Sequence, residues 1–184
     1  MSIIDFEENP IIAAVRSYED FRTALCSEVS TIFLLSCDLL SIDKYTEEAH
    51  KANKKLFVHV DFLDGISKDA SGVSYLATKN VDGIISTRSS VIKCASDRGI
   101  PTVQRFFMVD SRSVDTALDS LRSSHPDMIE VMPAIAYKTI TKTKNLTSVP
   151  IIAGGLVEEK SEIFAAFNAG ASGVSTAAKN MWDI

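Results

Sequence analysis

Eight short, almost wholly apolar runs recur along this chain, each separated from the next by enough residues for a helix. They are IIAAV from Ile11, TIFLLSC from Thr31, KLFVHVD from Lys55, GIIST from Gly83, PTVQRFF from Pro101, MIEVMP from Met128, PIIAGG from Pro150 and GVSTA from Gly173. Runs that are apolar at consecutive positions mark strands buried on both faces, as in parallel sheets. Parallel neighbours cannot be joined by hairpins, so each intervening stretch must be a crossover. Several of these stretches carry a helical apolar face. Phe21, Ala24 and Leu25 fall within Ser17 to Glu28, and Ile163, Ala166 and Phe167 within Glu158 to Ala169. Ser111 to His125 places Val114, Ala117, Leu118 and Leu121 at i, i+3, i+4 and i+7. Ser41 to Asn53 opens on a serine suited to capping.

Eight strand–helix units predict a closed, compact (β/α)8 TIM barrel. An open doubly wound sheet is the alternative, but no GxGxxG follows the first strand, where Ala13-Ala14-Val15-Arg16 stands. The chain has 184 residues. Such barrels typically use about 250, so the loops must be short, and residues 1–184 are expected to form one domain.

Composition narrows the setting. Apolar residues make up 46% and charged residues 23%, as in ordinary globular chains. No apolar run approaches the roughly 20 residues needed to span a bilayer, so no membrane partner is expected. The acidic stretch Met1 to Glu8 lacks the basic start and apolar core of a signal peptide. Cys26, Cys37 and Cys94 form no CxxC or zinc pattern and suit a reducing compartment. Cytoplasmic residence, no metal and no cofactor are the expectations. Cys26 and Cys94 read as packed helix residues; Cys37, at a strand end, either packs or lines a pocket. The formal net charge of −5 repels nucleic acid in bulk, so contact with RNA requires a local basic patch or a change of oligomeric state.

In a barrel of this kind the functional groups lie at the C-terminal strand ends. Reading those ends in order, Asp61 could bind a hydroxyl or metal, or cap a turn or pair with a base. His59 reads as structural. Ser86, Thr87 and Arg88 cluster hydroxyls with a guanidinium, which suits an anion; capping by Ser89 beside a surface arginine is the alternative. Arg105 and Glu130 are charges inside adjacent strands, expensive unless paired. They form either a structural ion pair or a grip on a ligand hydroxyl or phosphate. Gly154 and Gly155 let backbone N–H groups approach an anion. Ser175 and Thr176 add hydroxyls at the loops where barrels often bind phosphate. A barrel enzyme acting on a small phosphorylated substrate would need a base or a Schiff-base lysine, with Asp61, Glu130 and Lys138 the residues to test. Lys55 lies at the wrong strand end, Lys68 and Lys138 follow strands, and no Ser-His-Asp or Cys-His set is legible.

In this order the motifs resemble those of the glycerol-3-phosphate-responsive antiterminators, regulators of glycerol-uptake operons. The matching stretches are His59-Val60-Asp61 through Gly65, Asp82 to Ser89, Gln104 to Phe107, Asp110 to Ser113, Glu130 to Pro133, Ile151 to Leu156, and Val174-Ser175-Thr176 with Lys179 and Trp182. The resemblance implies a non-enzymatic barrel that senses glycerol 3-phosphate as effector and binds leader mRNA to prevent premature transcription termination; a homo-oligomer stays open. Two stretches lean basic. Arg88, Lys93, Arg98, Arg105 and Arg112 outnumber Asp97 and Asp110, and Lys138, Lys142 and Lys144 have no acid beside them.

Overall fold

The computed structural model describes residues 3–108 and 110–184. Met1 and Ser2, where the N-terminal reading begins, lie outside the described residues. Eight parallel strands close into a barrel among the described residues: β1 (Ile11–Val15), β2 (Thr31–Leu34), β3 (Lys55–His59), β4 (Gly83–Ser86), β5 (Thr102–Phe107), β6 (Met128–Met132), β7 (Ile151–Gly154) and β8 (Gly173–Thr176). Each strand pairs with its sequence neighbours, and β1 pairs with β8 to complete the ring. The crossovers carry α1 (Tyr18–Leu25), α2 (Ile42–Lys51), α3 (Ala70–Ala77), α4 (Ser89–Ser96), α5 (Ser111–Ser124), α6 (Tyr137–Leu146) and α7 (Lys160–Asn168). The expected (β/α)8 barrel is therefore the fold. Among the described residues no helix is long and apolar enough to cross a membrane.

Side chains alternate in direction along a strand, and here the alternation sorts two cores. Ile12, Ala14, Phe33, Leu35, Phe57, Ile85, Val103, Met128 and Ile152 form one cluster. Their intervening neighbours, such as Ile32, Val58, Ile84, Ile129 and Val131, join the helices in the larger one. The first cluster also takes in Ile4, with Ile3 and Phe6 packed against it. Phe6 lies against Gly173, at the start of β8, so this segment closes the N-terminal end of the barrel. Read from sequence only as acidic, it is a plug.

Local corrections follow from side-chain hydrogen bonds. Ser41 does not cap α2 with its hydroxyl. Instead Asp38 caps the short 3-10 turn ahead of it, accepting the Ser41 N–H at 3.0 Å. Cys26 is exposed at the end of α1, where core packing was expected. Cys37 lies in a two-residue strand, Cys37–Asp38, that pairs with Leu63–Asp64 outside the barrel. Burial pushes its thiol pKa up to about 12, which leaves it a poor nucleophile.

Gly83 is required for packing. A Cβ there would run into the Phe57 ring, which is fully buried. Gly83→Ala is expected to cost about 1–3 kcal/mol through overpacking, read as a lower urea midpoint with unchanged slope. An unchanged midpoint would show that Phe57 moves freely.

Candidate functional site

The inward rows of β5 and β6 carry charge near the mouth. Val103 and Arg105 follow one another on the inner face of β5, and Met128, Glu130 and Met132 on that of β6. Arg105 and Glu130 are register partners. The Arg105 Nε donates to Glu130 Oε2 at 2.6 Å, with both side chains buried. Ser175 Oγ, from β8, donates to Glu130 Oε1 at 2.5 Å. Both carboxylate oxygens are thus engaged, as a buried charge requires. Gly154 makes room for this arrangement, since a Cβ there would touch Glu130 Oε1 and lie 2.6 Å from Ser175 Oγ.

Above this network opens a cavity of about 520 Å³. Arg105, Glu130, Gly155, Ser175 and Thr176 line it, together with Arg16, Leu35, Met132, Leu156 and Asn180. The turn after β7 has left-handed backbone at Gly155 (φ +77) and at Leu156 (φ +60). The second costs on the order of 1 kcal/mol in a non-glycine residue. Thr176 uses its hydroxyl to fasten this turn, donating to Val157 O at 2.7 Å. Its carbonyl accepts from the buried Trp182 Nε1 at 2.9 Å.

Asp61, Ser86, Thr87 and Arg88 form a separate cluster that lines neither this cavity nor its neighbour. Asp61 Oδ1 accepts from Ser86 Oγ, and Oδ2 from the Thr87 N–H and hydroxyl, each at 2.7 Å. The Arg88 Nε lies 3.9 Å from Oδ1 on a largely exposed side chain. Burial pushes the Asp61 pKa up, but the nearby His59 imidazole and the Ser86 and Thr87 donors outweigh it and hold the carboxyl well below its ordinary range.

A second cavity of about 330 Å³ adjoins the first, sharing Arg16, Leu35 and Arg105 and adding Ser36, His59 and Phe62. Arg16 was not singled out from sequence, although it continues the inward row Ile12, Ala14 of β1. Among the described residues no lysine lines either cavity. The Lys68 Nζ donates to the Leu63 carbonyl. Lys138 instead lies in a groove with Tyr137, Thr141, Ala165, Asn168 and Ala169, between α6 and α7. Nor do the described residues contain a cluster of three or more His, Cys, Asp or Glu side chains placed to hold a metal.

Fold and mouth together define a small (β/α)8 barrel with a polar, arginine-bearing cavity at the C-terminal end of its strands. The chain belongs to the glycerol-3-phosphate responsive antiterminator family, whose model matches residues 11–182. It is similar to the glycerol uptake operon antiterminator regulatory protein of Listeria monocytogenes, with a TM-score of 0.92 and 28% identity over 97% of both chains. An antiterminator-related protein of Thermotoga maritima superposes with a TM-score of 0.82 at 28% identity, covering 95% of this chain and 98% of that one. The uncharacterized protein YgcP of Escherichia coli K12 is 33% identical over 178 residues, which is 96% of this chain and 93% of that protein.

Two predictions follow from the network and the cluster. Arg105→Met leaves Glu130 buried without its partner and is expected to lower stability by about 3–5 kcal/mol, with Glu130→Leu added to it restoring part of the loss. Urea unfolding of both variants measures this, and a single variant as stable as wild type would dismiss the pair. The second concerns pH. Folding lowers the Asp61 pKa, so its contribution is complete above the unfolded value of about 3.9 and fades as pH falls below it toward the folded value. The stability gap between wild type and Asp61→Asn should therefore narrow from pH 7 to about pH 3. A constant gap would assign Asp61 no titration-linked role.

Proposed function

We propose that the chain binds glycerol 3-phosphate at its mouth and, so loaded, binds the leader mRNA of a glycerol-uptake operon as an antiterminator. The observation that carries the ligand half is the fixed guanidinium of Arg105, which faces a cavity bounded by the Gly155-Leu156 turn and the Ser175-Thr176 strand end. Glu130 fixes Arg105 through Nε, leaving its terminal nitrogens to meet ligand oxygens. Loops after the seventh and eighth strands are where barrels commonly seat phosphate. Family membership supports glycerol 3-phosphate as the effector. The regulatory rather than enzymatic reading is favoured by the groups themselves. Glu130 is bound on both oxygens, Asp61 accepts three hydrogen bonds, and no lysine stands at either cavity among the described residues.

The RNA half rests on the same face. Phe62 and Phe107 are exposed at the C-terminal ends of β3 and β5, with Arg88 exposed after β4. Exposed rings and guanidinium planes are what unstacked RNA bases stack on. The chain's acidic balance keeps this contact local, so the dependence on salt should be modest. The added phosphate cannot attract RNA by charge; it acts only by favouring one conformation, and the RNA must then tighten the effector by the same factor.

Glycerol 3-phosphate should raise the melting temperature and glycerol far less, since binding to the native state stabilises it by mass action. Equal shifts would remove the phosphate assignment. Leader RNA should bind more tightly with glycerol 3-phosphate than without. Phe62→Ala and Phe107→Ala should each weaken it by about 1–3 kcal/mol if the rings stack on bases. Binding indifferent to the effector would leave an RNA-binding barrel without a switch.

A further inference from the structure

The His59 imidazole ends the inward row of β3, and its residue is 1% exposed. Among the described residues neither ring nitrogen has a hydrogen-bond partner. The Asp61 Oδ2 lies 3.5 Å from Nε2, beyond a firm hydrogen bond. A buried ring whose nitrogens lack a firm hydrogen bond is costly, and this one is found in the wall of the smaller cavity. Phe62 packs against it, with centroids 5.1 Å apart, which fixes its plane.

The other walls of that cavity are complementary to negative charge. Arg16 and Arg105 contribute guanidinium groups, Ser36 is polar, Leu35 and Phe62 are apolar, and among the described residues no carboxylate lines it. Of the acids nearby, Glu130 is committed to Arg105 and Ser175 and Asp61 to Ser86 and Thr87, while Glu158 lines the larger cavity and not this one. Arg16 and Arg105 face both cavities, so an oxyanion in either one meets a guanidinium. A phosphate beside the Gly154-Gly155 turn leaves the His59 chamber unused.

We infer that the mouth is a two-anion site, in which the chamber walled by His59, Arg16 and Arg105 takes a second oxyanion in addition to the phosphate of the ligand proposed above. The His59 ring then lies between the incoming anion and Asp61, where a ring N–H can serve as a donor. The second oxyanion is either the far end of the same effector or a separate small carboxylate. This rests on the phosphate reading of the larger cavity only for the identity of the first anion.

The probe for a single ligand is 3-phosphoglycerate, which differs from glycerol 3-phosphate by a carboxylate in place of the terminal CH2OH. Calorimetry should find it about tenfold tighter, the scale of one added charge-assisted contact. His59→Phe keeps a flat ring and removes both nitrogens, and should abolish that advantage while changing glycerol 3-phosphate affinity less than about threefold. Arg16→Ala, at an exposed position, should also reduce it and covers the case in which His59→Phe fails to fold. The probe for a separate anion is glycerol 3-phosphate titrated with and without acetate; tighter binding with acetate in wild type, lost in the variants, establishes a co-bound anion. If 3-phosphoglycerate has no advantage and acetate no effect, the inference is overturned. It is likewise overturned if either gain survives both variants. Should no phosphorylated compound bind, the proposed ligand is wrong, but the chamber is still tested by imidazole NMR. The His59 ring signals, assigned by their loss in His59→Phe, should shift when acetate or inorganic phosphate is added at fixed pH, and unmoved signals overturn the proposal.

Discussion

The buried pairing of Arg105 with Glu130 is the constraint around which the mouth is built. A barrel lumen is a poor place for charge, and two ionised side chains there are tolerated only when each polar atom is answered. Glu130 is answered on one oxygen by Nε and on the other by Ser175, a residue two strands away. That demand fixes the position after it: Gly154, between the two on β7, must lack a side chain because the carboxylate and the hydroxyl occupy the space. Three strands are tied by one network across a fourth that leaves room for it, and the cavity takes its floor from it.

Much of this was legible in the chain. The eight apolar runs gave the strand number because parallel strands buried on both faces leave a distinctive imprint. Arg105 and Glu130 stood out because charge inside such runs needs an explanation. What could not be read was how the groups would divide. Asp61, Ser86, Thr87 and Arg88 all end strands β3 and β4 or follow them, as a site should, yet their hydrogen bonds are largely made to one another. The partners of a side chain depend on barrel register and loop path, and one-dimensional spacing holds neither.

The residues overlooked are instructive for the same reason. In the sequence Arg16 stands out only as a break in a motif for a different fold; its place at the mouth follows from counting inward positions along β1. His59 looked structural because no partner was visible nearby in sequence, and in the folded chain its lack of a hydrogen-bond partner is what makes it notable. The stretch from Met1 to Glu8 reads from sequence only as acidic, because Asp5, Glu7 and Glu8 fall in it. Its packing depends on three apolar side chains among them.

The packed lumen, covered at its far end by that N-terminal segment, leaves the mouth as a blind well. Traffic to the cavities is confined to the face where Phe62, Phe107 and Leu156 stand exposed. A macromolecule resting on that rim therefore acts as a stopper. It lengthens the residence of whatever small molecule lies beneath it, and it must itself arrive after that molecule or wait for it to enter through the gaps that remain. Order of assembly, and not affinity alone, is written into a barrel with one open end.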